Sequence, residues 1–266
     1  MTGEERWALP DRTAALEWCA KRKGQHIRCA LDVLGRSAKT ADEVQGELSA
    51  HLELLENIIS HGRGASLAVK LSTLGAGFDR EQCRNRLLAI SKAAWNAPVP
   101  LELDMEGRAL VDFTLRTAIE ATSTGLPVTI ALQAYLDRTP ADLERAIDGR
   151  VRVRLVKGAY SGDTDDFVMI QTRMRDLAGR LLETGAEYCV GTHDPELIAW
   201  LEERGSRRYL EFGFLMSLAD ETKHRLASSG WRVLEYVPFG PESGPYIARR
   251  ERYLKALGRI GRTTAP

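Results

Sequence analysis

Hydrophobic positions in this chain fall into short runs separated by longer amphipathic stretches. The runs are 26–33, 66–72, 99–104, 127–133, 151–156, 187–192, 208–212 and 231–237. Each has the length and apolar content of a buried strand. Between them, 40–59, 79–95, 112–123, 167–184, 195–203 and 219–228 repeat apolar residues at helical spacing, as do Val44, Leu48, His51, Leu52, Leu55 and Ile59 in the first. Thr139 followed by Pro140 reads as one more helix start, a cap and then a residue with no N–H to leave unpaired. An amphipathic helix at 10–23, with Leu16, Cys19 and Ala20 on one side, precedes the first run. Eight strand–helix alternations predict a (β/α)8 barrel of the TIM type. The expected organisation is an N-terminal helical extension at 1–25, the barrel at 26–258 and a loose tail at 259–266. A doubly wound open sheet is the competing architecture.

Bulk properties narrow the function. The chain has 266 residues, close to the roughly 250 that a single barrel uses. Lys+Arg and Asp+Glu each number 37, so there is no excess of positive charge for nucleic acid. The acidic start at 1–5 has no apolar core of a signal peptide, and no apolar run reaches the length of a membrane span. Cys19, Cys29, Cys83 and Cys189 are scattered. That pattern suits reduced thiols in the cytoplasm, with peripheral association to a membrane left open.

Candidate chemistry collects where a barrel builds its sites, at the C-terminal ends of the strands. Asp32, Lys70, Ser72, Asp104, Glu106, Gln133, Arg154, Lys157, Thr192, His193, Asp194, Glu211 and Tyr236 all follow or end a run. Beyond the last run the chain breaks at Pro238 and Gly240 and restarts as a helix at Pro245. Tyr246, Arg249 and Arg250 then share one helical face. Paired guanidinium forks beside a phenol suit a carboxylate or a phosphate. A solvated basic face is the plain alternative, since Arg252 and Lys255 follow. Gly75 and Gly77 lack the third glycine of a dinucleotide fingerprint, and the histidines lack metal-ligand spacing.

Several segments together resemble the proline dehydrogenase family, FAD-dependent barrels that oxidise L-proline. The strongest are 154–160 (Arg154, Leu155, Lys157, Gly158 and Tyr160) and 236–250 (Tyr236, Tyr246, Arg249 and Arg250). Segments around Asp32, Lys70, Asp104, Gln133, His193 and Glu211 support them, in the family's order. The resemblance implies that Arg249, Arg250 and Lys70 bind the amino-acid carboxylate, with Asp104 buttressing an arginine of that clamp. It implies that Leu155, Tyr160, Tyr236 and Tyr246 wall the ring. Gln133, Arg154, Lys157, Gly158, Tyr160, Thr192, His193 and Glu211 would line FAD, and a quinone or another acceptor would take the electrons. The chain departs from the family pattern at Ser161, Gly213 and Tyr253–Leu254. Two other readings remain open: a cofactor-free barrel lyase or isomerase using Lys70 or Lys157 with Glu106 or His193, and a non-catalytic carboxylate-binding barrel.

Overall fold

The alternation of strand and helix closes on itself. In the computed structural model, which describes residues 6–60 and 64–266, eight parallel strands stand in sequence order. They are β1 (Arg28–Val33), β2 (Ala65–Val69), β3 (Leu101–Leu103), β4 (Val128–Gln133), β5 (Arg152–Val156), β6 (Tyr188–Gly191), β7 (Leu210–Leu215) and β8 (Arg232–Phe239). β8 pairs with β1, so no strand edge is left open. This is the (β/α)8 barrel, and the closure excludes the open sheet. The acidic stretch 1–5 and His61 lie outside the described residues.

The helices are α1 (Arg12–Lys23), α2 (Ala41–Ser60), α3 (Arg80–Asn96), α4 (Arg108–Ser123), α5 (Thr139–Asp148), α6 (Phe167–Glu183), α7 (Pro195–Arg204), α8 (Asp220–Ser228) and α9 (Gly244–Arg259). Side chains at alternate strand positions, such as Leu31, Leu67, Leu103, Ile130, Val153, Val190, Phe212 and Val233, pack under the helices in one continuous core. Local signals start the helices where the sequence suggests. Thr40 and Glu43 cap α2 reciprocally: the Glu43 N–H donates to Thr40 Oγ1 at 3.2 Å, and the Thr40 N–H donates to Glu43 Oε2 at 3.3 Å.

The barrel interior is polar. At its N-terminal end, Glu211 of β7 accepts from Arg28 of β1 at 2.7 Å and Arg152 of β5 at 2.6 Å. Above it, Glu102 of β3 accepts from Arg154 of β5 at 2.7 Å and from Ser66 of β2 at 2.5 Å. Ala30, Cys189 and Leu234 fill the remaining space. Outside the barrel, α1 is fastened to β8 and α8: Arg22 and Lys223 meet the fully buried Glu235 at 2.5 and 2.7 Å.

Three sequence expectations change. β7 runs to Leu215, past Gly213, because parallel pairing on both sides carries the chain through the glycine. β8 continues through Pro238 to Phe239. Pro238 lies past the last β7 partner, where its missing N–H costs no ladder bond, and its carbonyl accepts from the Leu9 N–H at 3.0 Å. The segment after α9 is not loose. The Ala265 N–H donates to the His193 carbonyl at 2.7 Å, and the Pro266 carbonyl accepts from the Thr222 N–H at 2.8 Å.

Candidate active site

The mouth of the barrel is built on one buried lysine. Lys70 follows β2 and reaches across the top of the interior. Its ammonium contacts Asp32 of β1, Asp104 after β3 at 3.2 Å and the Tyr236 hydroxyl of β8 at 3.2 Å. Tyr236 donates to the same Asp104 oxygen, Oδ2, that faces Lys70, and Arg154 donates to the other, Oδ1. Burial opposes charge on Lys70, but Asp32 and Asp104 outweigh it and raise its pKa. Asp104 is pushed up by burial and pulled down further by Lys70 and Arg154, so it stays ionised. Lys70 is therefore a charged strut, hydrogen-bonded to Asp32 and Tyr236 and ion-paired with Asp104. Contrary to what the resemblance implies, Asp104 buttresses no arginine of the α9 clamp; the arginine it holds is Arg154.

A second group sits beside it. Glu106 accepts from the Ser72 hydroxyl at 2.5 Å and the Ser72 N–H at 2.9 Å. The Glu106 carbonyl accepts from Gln133 Nε2 at 3.1 Å, and Gln133 Oε1 accepts from the Tyr135 hydroxyl at 2.9 Å. Tyr135 in turn accepts from the Tyr160 N–H at 3.0 Å. The loop after β5 wraps over that phenol. Gly158 has φ +122°, and a Cβ there would lie 2.4 Å from the Tyr135 ring. Only glycine serves both demands.

Over this floor α9 lays its basic face. Arg249 stacks on Tyr160 at 5.3 Å and Tyr246 at 6.0 Å; Arg250 stacks on Tyr246 at 5.1 Å. Arg250 is only 8% exposed, yet its Nε and Nη2 have no hydrogen-bond partner. Neither arginine has a carboxylate partner among the described residues. Burial lowers the Arg250 pKa below the ordinary arginine value. Lys157 lies close by, its ammonium 3.3 Å over the Tyr253 ring, and burial followed by Arg250 depresses its pKa to about 7. A buried guanidinium without a counter-charge is costly unless an anion arrives. The solvated-face alternative for α9 does not describe Arg250.

His193 sits beneath α9. Its Nε2 accepts from the Leu215 N–H at 3.0 Å, and burial, then Arg250, Lys223 and Lys157, hold it neutral. Thr192 Oγ1 accepts from the Asp194 N–H at 3.1 Å.

Two expected site residues fall elsewhere. Leu155 is fully buried on the helix side of β5, because its neighbour Arg154 points inward and alternate residues face opposite ways. The inward neighbour above Arg154 is Val156. Glu211 lies four residues before the end of β7, roughly 13 Å below the mouth at the usual strand rise. It closes the bottom ion pair and cannot line a cofactor at the top. The departure at Gly213 has a physical counterpart: a Cβ there would sit 3.0 Å from Cys189 Sγ and 3.2 Å from the Gly191 Cα. The space for a longer side chain is already used. Sequence reasoning missed Glu102 and Tyr135. Glu102 alternates with Asp104 on a short strand, a signal that was readable. Tyr135 is legible only once Gly158 is seen to pack on it.

The chain matches the family model described as proline dehydrogenase over residues 15–166. The chain belongs to the proline dehydrogenase family. Curated relatives include proline dehydrogenase 1 of Bacillus subtilis (strain 168), 26% identical over 258 residues, spanning 93% of this chain and 85% of the relative. Proline dehydrogenase of Deinococcus radiodurans is 28% identical over 236 residues, spanning 83% and 76%. Among solved structures, proline utilization A from Bdellovibrio bacteriovorus, inactivated by N-propargylglycine, superposes with a TM-score of 0.86 at 19% identity. That match spans 93% of this chain and 32% of the longer protein. At such identity it is the fold that is shared. Among the described residues, no helix is long and apolar enough to cross a membrane.

Proposed function

We propose that this chain oxidises L-proline, or a closely related cyclic amino acid, to the corresponding imine at the barrel mouth, with FAD bound there. The observation that carries the reading is Arg250, buried and without a counter-charge beside Arg249 and Tyr246. The substrate carboxylate completes that group. Arg249 and Arg250 fix it, and the rings of Tyr160, Tyr236 and Tyr246 exclude water around the hydrocarbon part. Lys70, held by Asp32 and Asp104, keeps Tyr236 in place and adds positive potential below the carboxylate.

The residues present fit FAD. Lys157 is a half-buried amine with an aromatic partner and no carboxylate, its pKa lowered to about 7, and a phosphate or an electron-rich ring edge beside it would hold it protonated. Lys157, Gly158, Tyr160, Gln133, Arg154, Thr192 and His193 would hold the cofactor. Bound FAD supplies a two-electron acceptor for the hydride on the carbon next to the ring nitrogen. The clamp serves the reaction by fixing that carbon, which converts binding into orientation. Reoxidation by a quinone or another acceptor belongs to the same proposal.

The test is spectroscopic. Protein incubated with FAD and freed of excess should keep a visible flavin band, and anaerobic L-proline should bleach it. A protein that retains no flavin, or whose band ignores L-proline, contradicts the reading. The lysine-based, cofactor-free reading has one observation on its side, the low Lys157 pKa. Borohydride trapping of a substrate adduct on Lys157 would favour it instead.

A further inference from the structure

Tyr135, just beyond β4, meets the loop that follows β5 at three points. Its N–H donates to the Lys157 carbonyl at 3.0 Å, at the start of the loop. Its carbonyl accepts from the Asp163 N–H at 3.1 Å, at the end. Its hydroxyl accepts from the Tyr160 N–H at 3.0 Å, in the middle. The ring fills the loop between these points. A Cβ on Gly158 would overlap the ring at Cε1, and one on Gly162 would overlap it at Cδ2, on the opposite edge. Tyr135 is 6% exposed, and burial raises its pKa, so the phenol keeps the proton that it donates to Gln133 at 2.9 Å.

The three points are not equivalent. Other groups hold the two ends again. At the start, the Ala134 N–H donates to the Val156 carbonyl at 2.8 Å. At the end, Asp163 Oδ2 accepts from the Asp137 N–H at 2.7 Å, and Asp163 pairs with Arg108. The middle depends on the hydroxyl. Tyr160 is 37% exposed, so packing alone does not fix it. Its ring is the surface on which Arg249 stacks at 5.3 Å. Arg249 has no carboxylate to locate it among the described residues, so the aromatic face sets where its guanidinium lies.

We propose that Tyr135 is a positioning residue for the substrate clamp: its hydroxyl fixes the Tyr160 backbone, the Tyr160 ring holds Arg249, and Arg249 meets the substrate carboxylate. The proposal rests on the proline-oxidation reading above. Tyr135 itself lies under the loop and acts only through Tyr160. A guanidinium aimed at the carboxylate holds the bound substrate and the transition state alike. Its misplacement therefore shows in KM and leaves kcat nearly unchanged.

The experiment uses Tyr135→Phe, which keeps the ring and both backbone bonds and removes the hydroxyl alone. Steady-state oxidation of L-proline, with FAD present and a dye as acceptor, is measured for the parent, Tyr135→Phe, Arg249→Met and the double variant. KM for L-proline should rise about threefold to tenfold in Tyr135→Phe, the range of one lost hydrogen bond. Its kcat should stay within about twofold of the parent's by the same argument, and its thermal midpoint should fall by no more than about 4 °C. In the Arg249→Met background the same change should move KM by less than about twofold, because the residue it acts through is gone. The Tyr160 amide should be protected from hydrogen exchange in the parent and lose that protection in Tyr135→Phe. An unchanged KM, an equal rise in the Arg249→Met background, a fall in kcat as large as the rise in KM, or an unprotected Tyr160 amide in the parent would overturn the role of Tyr135 and leave the proline-oxidation reading standing. A parent that does not oxidise L-proline would overturn that reading and this proposal with it.

Discussion

Arg250 shows how one residue trades stability for binding. Its guanidinium is buried with two unpartnered nitrogens, and the chain carries that cost in the ligand-free state. Arg250→Met should therefore raise the KM for L-proline by roughly one to three orders of magnitude. The same change should leave the ligand-free protein as stable or up to about 3 kcal/mol more stable, by denaturant midpoint. A variant both weakened in binding and strongly destabilised would mean that Arg250 is a structural pair whose partner has been misassigned. Lys157 gives a pH signature. Its pKa of about 7 lies below the ordinary lysine value, so above neutrality the folded protein holds it uncharged while the unfolded chain does not. Stability from this group rises with pH from about 7 towards the ordinary lysine range. An anion bound beside Lys157 restores the charge, so flavin affinity should fall as pH climbs from 7 to 9, and Lys157→Met should flatten that fall. A fall of equal steepness in the variant would remove Lys157 from the cofactor site. Arg249, Arg250 and Tyr246 were legible from helical spacing alone. That Arg250 is buried was not, because burial is decided by what α9 lies on.

At the scale of elements, the loop after β5 and the length of β7 decide the site. Gly158 must hold φ +122° with the Tyr135 ring against its Cα. Gly158→Ala should cost about 1–3 kcal/mol of stability from backbone strain, with a further loss of flavin retention as Tyr135 lets go of Gln133 and the Tyr160 N–H. A thermal midpoint equal to that of the parent would show that the loop tolerates a side chain. β7 carries the plainest lesson about reading strands. Its apolar run stops at Phe212 before Gly213, so the strand end, and with it Glu211, reads as part of the mouth. The pairing that carries β7 on to Leu215 comes from β6 and β8, and no local pattern contains it. Leu155 was misplaced for a simpler reason: alternation around Arg154 already sends it outward, and the family resemblance overrode that parity.

At the scale of the whole molecule, the eight alternations were legible because each strand is buried on its helix face and must be apolar there. The interior was less so, because its ionic layers join residues far apart in the chain, Arg28 and Arg152 to Glu211, and Arg154 to Glu102. Glu211→Gln should cost up to about 3 kcal/mol by leaving two partly solvated arginines without their acid. Flavin affinity and KM should stay within about threefold; a selective loss of flavin would return Glu211 to the cofactor site. The order of the segment after α9 was invisible in its sequence, since it comes from backbone bonds to His193 and Thr222 and from the Arg262 pair with Glu196. The readiness of buried Arg250 and its neighbour Arg249 for a substrate carboxylate sets which amine the mouth accepts. It is tested most directly by comparing kcat/KM for L-proline and for pyrrolidine, which lacks the carboxylate, in the parent protein and in Arg250→Met. The parent should prefer L-proline by at least about a hundredfold, and the preference should collapse by tenfold or more in the variant. Equal turnover of the two amines by the parent, or an undiminished preference in Arg250→Met, would contradict it.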